Sequence, residues 1–217
     1  MVLTVLLQAA EAEVASLNLL EMALKGGWIM IPLLLLGIIA VYIFIERLLV
    51  IRKASYKDTT FMNKIKDYIN EGKIDAALTL CKNTDTPYSR MIEKGITRLG
   101  RPMNDVMVAI ENVGNLEIAK LEKGLSLLAT TAGGGPMIGF LGTVIAFFNM
   151  SNAGNNVDVS LLAGGIYTAM VTTVAGLIVG VIAFFAYNYL ISLVDKVVHD
   201  MEARSLEFMD ILNEPAN

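Results

Sequence analysis

Three apolar stretches of this chain, residues 28–45, 125–150 and 166–193, hold no Asp, Glu, His, Lys or Arg, so their polar chemistry rests on hydroxyl groups. Thr143 lies in the second stretch, and Thr168, Thr172 and Thr173 lie in the third. Each hydroxyl offers one donor and two lone pairs. That is enough to hold a water or to orient a carboxylate brought by another chain. It is not enough to carry a charge through lipid, where proton carriers normally expose an ionisable side chain. If protons move here, a partner has to supply the titrating group. The alternative for each threonine is a bond to the carbonyl three or four residues back on its own helix. The two gapped, small-residue stretches carry the threonines and the bulky first one does not. At helical spacing Thr173 shares a face with Ala169, Leu177 and Gly180, while Thr172 lies over Thr168.

The elements that must position these groups are long helices. Leu125 to Met150 is a 26-residue run without charge, about 39 Å as a helix against a hydrocarbon core of about 30 Å. Gly133-Gly134-Gly135-Pro136 is a poor helix segment, and any backbone group it frees in lipid needs a partner from protein or cavity water. This span is therefore expected inside an assembly. Ala132, Gly135, Gly139, Thr143, Ala146 and Met150 fall on one mostly small face, suited to close helix packing or a narrow pore. The third span, 166–193, adds Gly176 and Gly180 to its threonines. The first, 28–45, opens on Trp28 at an interfacial position, has Pro32 in its first turns, and is bulky on every face, so it can face lipid all round. Glu46-Arg47, at its end, is expected as a solvated, snorkelling helix terminus.

With 217 residues, 55% of them hydrophobic and 18% charged, the chain is too apolar for a soluble domain of this size. One cysteine, Cys81, and one histidine, His199, exclude a disulfide framework, a zinc site and a Cys/His catalytic pair. No enzyme activity and no cofactor is expected, Cys81 is read as a small buried hydrophobe, and no basic run points to nucleic acid. Residues 1–27 suggest a short interfacial helix, with no Lys or Arg before Lys25, so a cleaved signal is not expected. Residues 46–124 show helical periodicity in pieces broken at Pro87 and Gly100-Arg101-Pro102, the last piece expected to run unbroken into Leu125. Residues 151–165 form a short polar loop, and 194–217 continue the third span as an amphipathic helix as far as Pro215. Residues 46–124 carry 14 of the 17 Lys and Arg. The positive-inside rule puts that region and the C-terminus in the cytoplasm, and the N-terminus outside. The expected fold is an all-α integral membrane protein of three transmembrane helices. Its second and third helices extend into the cytoplasm, and a cytoplasmic helical domain lies between spans one and two.

The first-span exit FIERLL, the segment GPMIGFLGTVIAFFNM and the segment GGIYTAMVTTVAGLIVGVIAFFAYN together resemble the ExbB/TolQ/MotA family of bacterial proton-channel subunits, its ExbB branch most. The resemblance covers nearly the whole chain from Trp28, and three spans favour ExbB or TolQ over MotA. It implies a homopentamer in the bacterial inner membrane whose second and third spans line a pore. In that pore sit the single membrane helices of an ExbD-type partner carrying the proton-bearing aspartate, and proton flow energises TonB-dependent uptake, or outer-membrane maintenance of the Tol type. The family's pore threonines fall on Thr143 and Thr173, and Thr172, Thr168, Gly139, Ala146 and Gly176 lie along the same implied pathway. Where many members carry a third-span glutamate this chain has Thr168, and where many have a later proline it has Ala183. Against this stand a non-conducting scaffold, in which the small-residue spans only oligomerise, and, more weakly, a secondary transporter.

Overall fold

The computed structural model describes residues 26–55, 58–152 and 159–213, and every regular element among them is a helix. In order they are α1 (Met30–Ala54), α2 (Phe61–Asn70), α3 (Ile74–Thr84), α4 (Pro87–Ile96), α5 (Met103–Glu122), α6 (Leu125–Ser151) and α7 (Val159–Asn213). The interfacial helix expected within 1–27, residues 153–158 of the expected 151–165 loop and the stop at Pro215 fall outside the described residues. The rest of that loop, Asn152 apart, is helical instead, because α6 runs on to Ser151 and α7 already starts at Val159. Three helical stretches are long and apolar enough to cross a membrane, within Met30–Ala54, Met103–Ser151 and Leu162–Asn213. Phe140, Phe147, Phe148, Phe184 and Phe185 are all exposed. Apolar surface of that extent belongs against lipid or protein, not water. The chain is an all-helical, multi-pass membrane protein.

The chain divides into two compact units, Met1–Ala40 with Thr130–Phe184, and Val41–Ala129 with Phe185–Asn217. In the first, α6 stays helical straight through Gly133-Gly134-Gly135-Pro136. Pro136 has no N–H for the carbonyl of Ala132. That carbonyl lies instead against Gly180 of α7, so close that a Cβ there would meet it at 2.9 Å. Of the three glycines of this segment only Gly135 meets the α7 backbone; a Cβ on Gly133 or Gly134 would meet nothing of this chain within 4 Å. In α1, Leu33 and Ala40 are buried while Ile31, Leu34, Leu35, Ile38 and Ile39 are exposed. The first span therefore has a packed side, with Gly37 facing Val179, rather than presenting lipid with its whole circumference.

The second unit has a conventional apolar core. Phe61, Met62 and Ile65 of α2, Ala77 and Cys81 of α3, Ile92 and Ile96 of α4, Ile110 of α5 and Phe208 of α7 are all buried. Phe61 stands edge-on to Tyr88, ring centres 5.2 Å apart. Gly95 is required where it is, because a Cβ there would come within 2.6 Å of the Phe208 ring and 2.9 Å of Ile110. Helix α4 starts on a capping box: Ser89 N–H donates to Thr86 Oγ1 at 3.3 Å, and Thr86 N–H to Ser89 Oγ at 3.0 Å, with Pro87 in the first turn.

Two local expectations change. The run from Met103 into Leu125 is interrupted at Lys123-Gly124, where Lys123 turns to ψ 126° and Gly124 takes φ +83°. That left-handed conformation is open to glycine and strained for other residues. Arg47, expected as a snorkelling end, is instead 9% exposed. Its guanidinium holds both carboxylate oxygens of Glu46, at 2.6 and 2.8 Å, and donates at 3.0 Å to the carbonyl of Lys120. That carbonyl is one of the last four of α5, which have no partner within the helix.

Candidate functional site

The closest helix contact of the first unit is built from glycines on both sides. Gly135 and Gly139 of α6 face Gly176 and Gly180 of α7, each pair four residues apart. A Cβ on Gly176 would stand 2.6 Å from the carbonyl oxygen of Gly135 and 2.8 Å from Cα of Gly139; one on Gly139 would stand 2.7 Å from the carbonyl of Thr172. No side chain fits between these backbones, which is the small-residue route to tight helix association in lipid. Gly142, one turn on, makes room for the side chain of Thr172.

That approach decides what the threonines do. Thr143 Oγ1 crosses between helices, donating at 3.0 Å to the carbonyl of Ala169 and lying 2.5 Å from Thr173 Oγ1. Thr172 Oγ1 also donates to Ala169, at 3.0 Å, three residues back on its own helix. Thr143 and Thr173 are half-buried and Thr172 is 1% exposed. Thr168 donates to the Gly164 carbonyl four residues back, at 3.1 Å. Own-helix bonding, the alternative kept open for every threonine, thus describes Thr168 and Thr172. Thr143 and Thr173 instead form a pair across two helices.

Gly139, Ala146 and Gly176 are buried, and Gly139 and Gly176 lie in the α6–α7 seam beside the hydroxyl pair. The face predicted from Ala132 to Met150 is the face of α6 that meets α7. Thr168 stands one turn from Thr172 and lines a cavity of about 340 Å³ with Ala146, Asn149, Met150, Ser160, Gly164 and Gly165. What sequence reasoning missed is the Ala169 carbonyl, where two hydroxyls converge. A backbone acceptor leaves no mark in residue types, and only the position of Ala169 one turn before Thr173 hinted at it.

A second polar cluster lies in the second unit. Glu117, with its side chain 5% exposed, accepts from Arg90 and from Lys120, each at 2.6 Å, and Arg90 also pairs with Asp85. Burial works to raise the Glu117 carboxyl, but the bonds and charges of Arg90 and Lys120 outweigh it and hold it below the usual carboxylate range. Every carboxylate here is spoken for by a cation, so the cluster ties α4 to α5 and offers no free acid or base. Among the described residues no three His, Cys, Asp or Glu converge as a metal site would require.

The profile of the MotA/TolQ/ExbB proton channel family matches residues 83–203. An ExbB homologue of biopolymer transport from Methanothermobacter thermautotrophicus is 30% identical over 187 residues, covering 85% of this chain and 67% of its own. The Tol-Pal system protein TolQ of Haemophilus influenzae is 27% identical over 93% of this chain and 96% of its own. The biopolymer transport protein ExbB of Neisseria gonorrhoeae is 28% identical, over 73% and 77%.

Proposed function

Because the chain belongs to the MotA/TolQ/ExbB proton channel family, we propose that it is the ExbB-type subunit of a proton-driven motor in the bacterial inner membrane. The observation that carries this reading is the Thr143–Thr173 hydroxyl pair, set in apolar spans, 125–150 and 166–193, that hold no Asp, Glu, His, Lys or Arg of their own. The pair is suited to meet a carboxyl brought by a second chain. In this reading the chain forms a homopentamer, and α6 and α7 surround the single membrane helices of an ExbD-type partner bearing an aspartate. Residues 46–124 and the C-terminus lie in the cytoplasm, the N-terminus in the periplasm. Protons crossing on the partner's carboxyl drive one ring against the other, and the motion is passed to a TonB-type protein that energises outer-membrane transport. The chain works as a channel subunit and not as an enzyme.

A TolQ-type role in the Tol-Pal system is the second reading, favoured by the nearly end-to-end match to the Haemophilus TolQ. Complementation separates the two: restored uptake of iron complexes supports the first, and restored detergent resistance of the outer membrane supports the second. The test of the motor itself is Thr143→Val and Thr173→Val, with the intact mass of the gently extracted complex as control. Complexes that assemble but pass no protons support the reading. Variants that energise uptake as well as the parent would leave only a scaffold.

A further inference from the structure

The three hydroxyls around Ala169 have a defined direction. Thr143 has one proton, and it is engaged with the Ala169 carbonyl at 3.0 Å. The 2.5 Å contact between Thr143 and Thr173 must then be donated by Thr173. The order is Thr173 to Thr143 to Ala169. In that order Thr173 has spent its only proton and shows nothing but lone pairs to an incoming group. It can accept from a protonated carboxyl, but it repels an ionised one.

The same contacts show how the order can reverse. The Ala169 carbonyl has two lone pairs and is approached by three donors: Thr143, Thr172 and the N–H of Thr173, four residues on in the unbroken helix α7. It is over-subscribed, so it remains satisfied when Thr143 turns away. Thr143 can then donate to Thr173, and Thr173 is free to point its proton outward at a carboxylate. No proton leaves either hydroxyl; two C–O bonds rotate.

We propose that Thr172 is a positioning residue that makes this reversal cheap, allowing the Thr143–Thr173 pair to accept from a protonated carboxyl and to donate to an ionised one. A site serving only one form would trap a proton carrier in it, whereas a reversible pair lets the carrier load and unload at one place. Thr172 suits the role because it is buried, is held against Gly142, and shares the acceptor of Thr143. No charge of this chain competes in the spans. The titratable side chains of 28–45, 125–150 and 166–193 are Tyr42, Tyr167, Tyr187 and Tyr189, none within four residues of Thr143, Thr172 or Thr173 in sequence.

The proposal rests on the reading that a second chain brings a carboxyl to the pair. Its test is difference infrared titration of the complex extracted from native membranes, following the carbonyl band of protonated carboxyls. Thr172→Val keeps the shape and removes the competing donor, so Thr143 stays locked on Ala169 and the protonated form is favoured. The midpoint should rise, by about fivefold to tenfold in proton affinity, the scale of one neutral hydrogen bond. Thr172→Ser should return it to the parent value. With Thr143→Val as background, Thr172→Val should shift nothing further, because the relay it supports is gone. Should Thr172→Val not assemble, Thr172→Ala carries the same test, since it removes the same donor and adds no bulk against Gly142. An unmoved midpoint in Thr172→Val, or an equal shift with and without Thr143, overturns the proposal and leaves the channel reading standing. The absence of any titrating carboxyl band in the parent complex overturns both.

Discussion

Gly176→Ala should abolish proton flux although it alters no hydroxyl. The added Cβ would lie 2.6 Å from the Gly135 carbonyl and 2.8 Å from Gly139 Cα, where ordinary contact begins at 3.4 Å. Both obstacles are backbone, so the helices themselves must separate, by about 0.8 Å to relieve the tighter contact. Thr173 is less than one turn away. Carried over rigidly, that separation stretches the Thr143–Thr173 contact from 2.5 to about 3.3 Å and the Thr143–Ala169 bond from 3.0 to about 3.8 Å, beyond hydrogen-bonding range for the second. Overpacking of this kind costs about 1–3 kcal/mol, which a membrane helix pair with other contacts can survive. The assay is proton flux through proteoliposomes of the purified complex, with intact mass to establish assembly. Gly134→Ala is the comparison within the same helix, because a Cβ there meets nothing of this chain within 4 Å. Gly176→Ala should assemble and conduct at background, with Gly134→Ala near the parent. Parent-level flux in an assembled Gly176→Ala complex would refute the claim that backbone approach sets the hydroxyl geometry.

Arg47→Ala should lower the thermal midpoint of the detergent-solubilised protein, at a cost of about 2 kcal/mol, by stripping the Lys120 carbonyl of a charged donor and leaving Glu46 unpaired. A midpoint equal to the parent's would return Arg47 to the role of a solvated helix end. Glu117→Gln should destabilise by about 3 kcal/mol, the lower end for a broken buried pair because Arg90 and Lys120 stay partly exposed. Since the Glu117 carboxyl is held below its usual value, its contribution is present above the unfolded-state value and disappears as pH falls through the folded one. Parent stability should therefore drop below about pH 4, and the acid limb should be shallower in Glu117→Gln; identical limbs would contradict the assignment. Cys81 is buried, and burial first and Glu93 second push its thiol up to about 12. It should resist maleimide in the native protein at pH 8 and react only after denaturation. Native labelling within minutes would place it nearer the surface.

The three apolar helices, the helical pieces between the first two, and the small face of α6 were legible in the sequence because each is a matter of period and length. A run of 26 residues without a charge has few options in water, and the 3/4 spacing from Ala132 to Met150 marks a packed side wherever its partner lies. The break at Gly124 was readable in principle, as a glycine between two helical runs, but a continuous pattern of good helix formers on both sides hid it. The buried state of Arg47 was not readable, because its partner is a backbone carbonyl 73 residues away.

The same division holds at the candidate site. Residue types alone determined that these spans offer hydroxyls and no Asp, Glu, His, Lys or Arg, and hence that a carboxyl or other group titrating near neutral pH must come from elsewhere. They left every threonine with two possible fates. Only the tertiary structure decided between them, turning Thr168 and Thr172 onto their own helix and joining Thr143 to Thr173. The physical reason is distance. A hydroxyl reaches about 3 Å, and whether a second helix comes within that reach depends on four glycines meeting across an interface, which no local pattern in either helix contains.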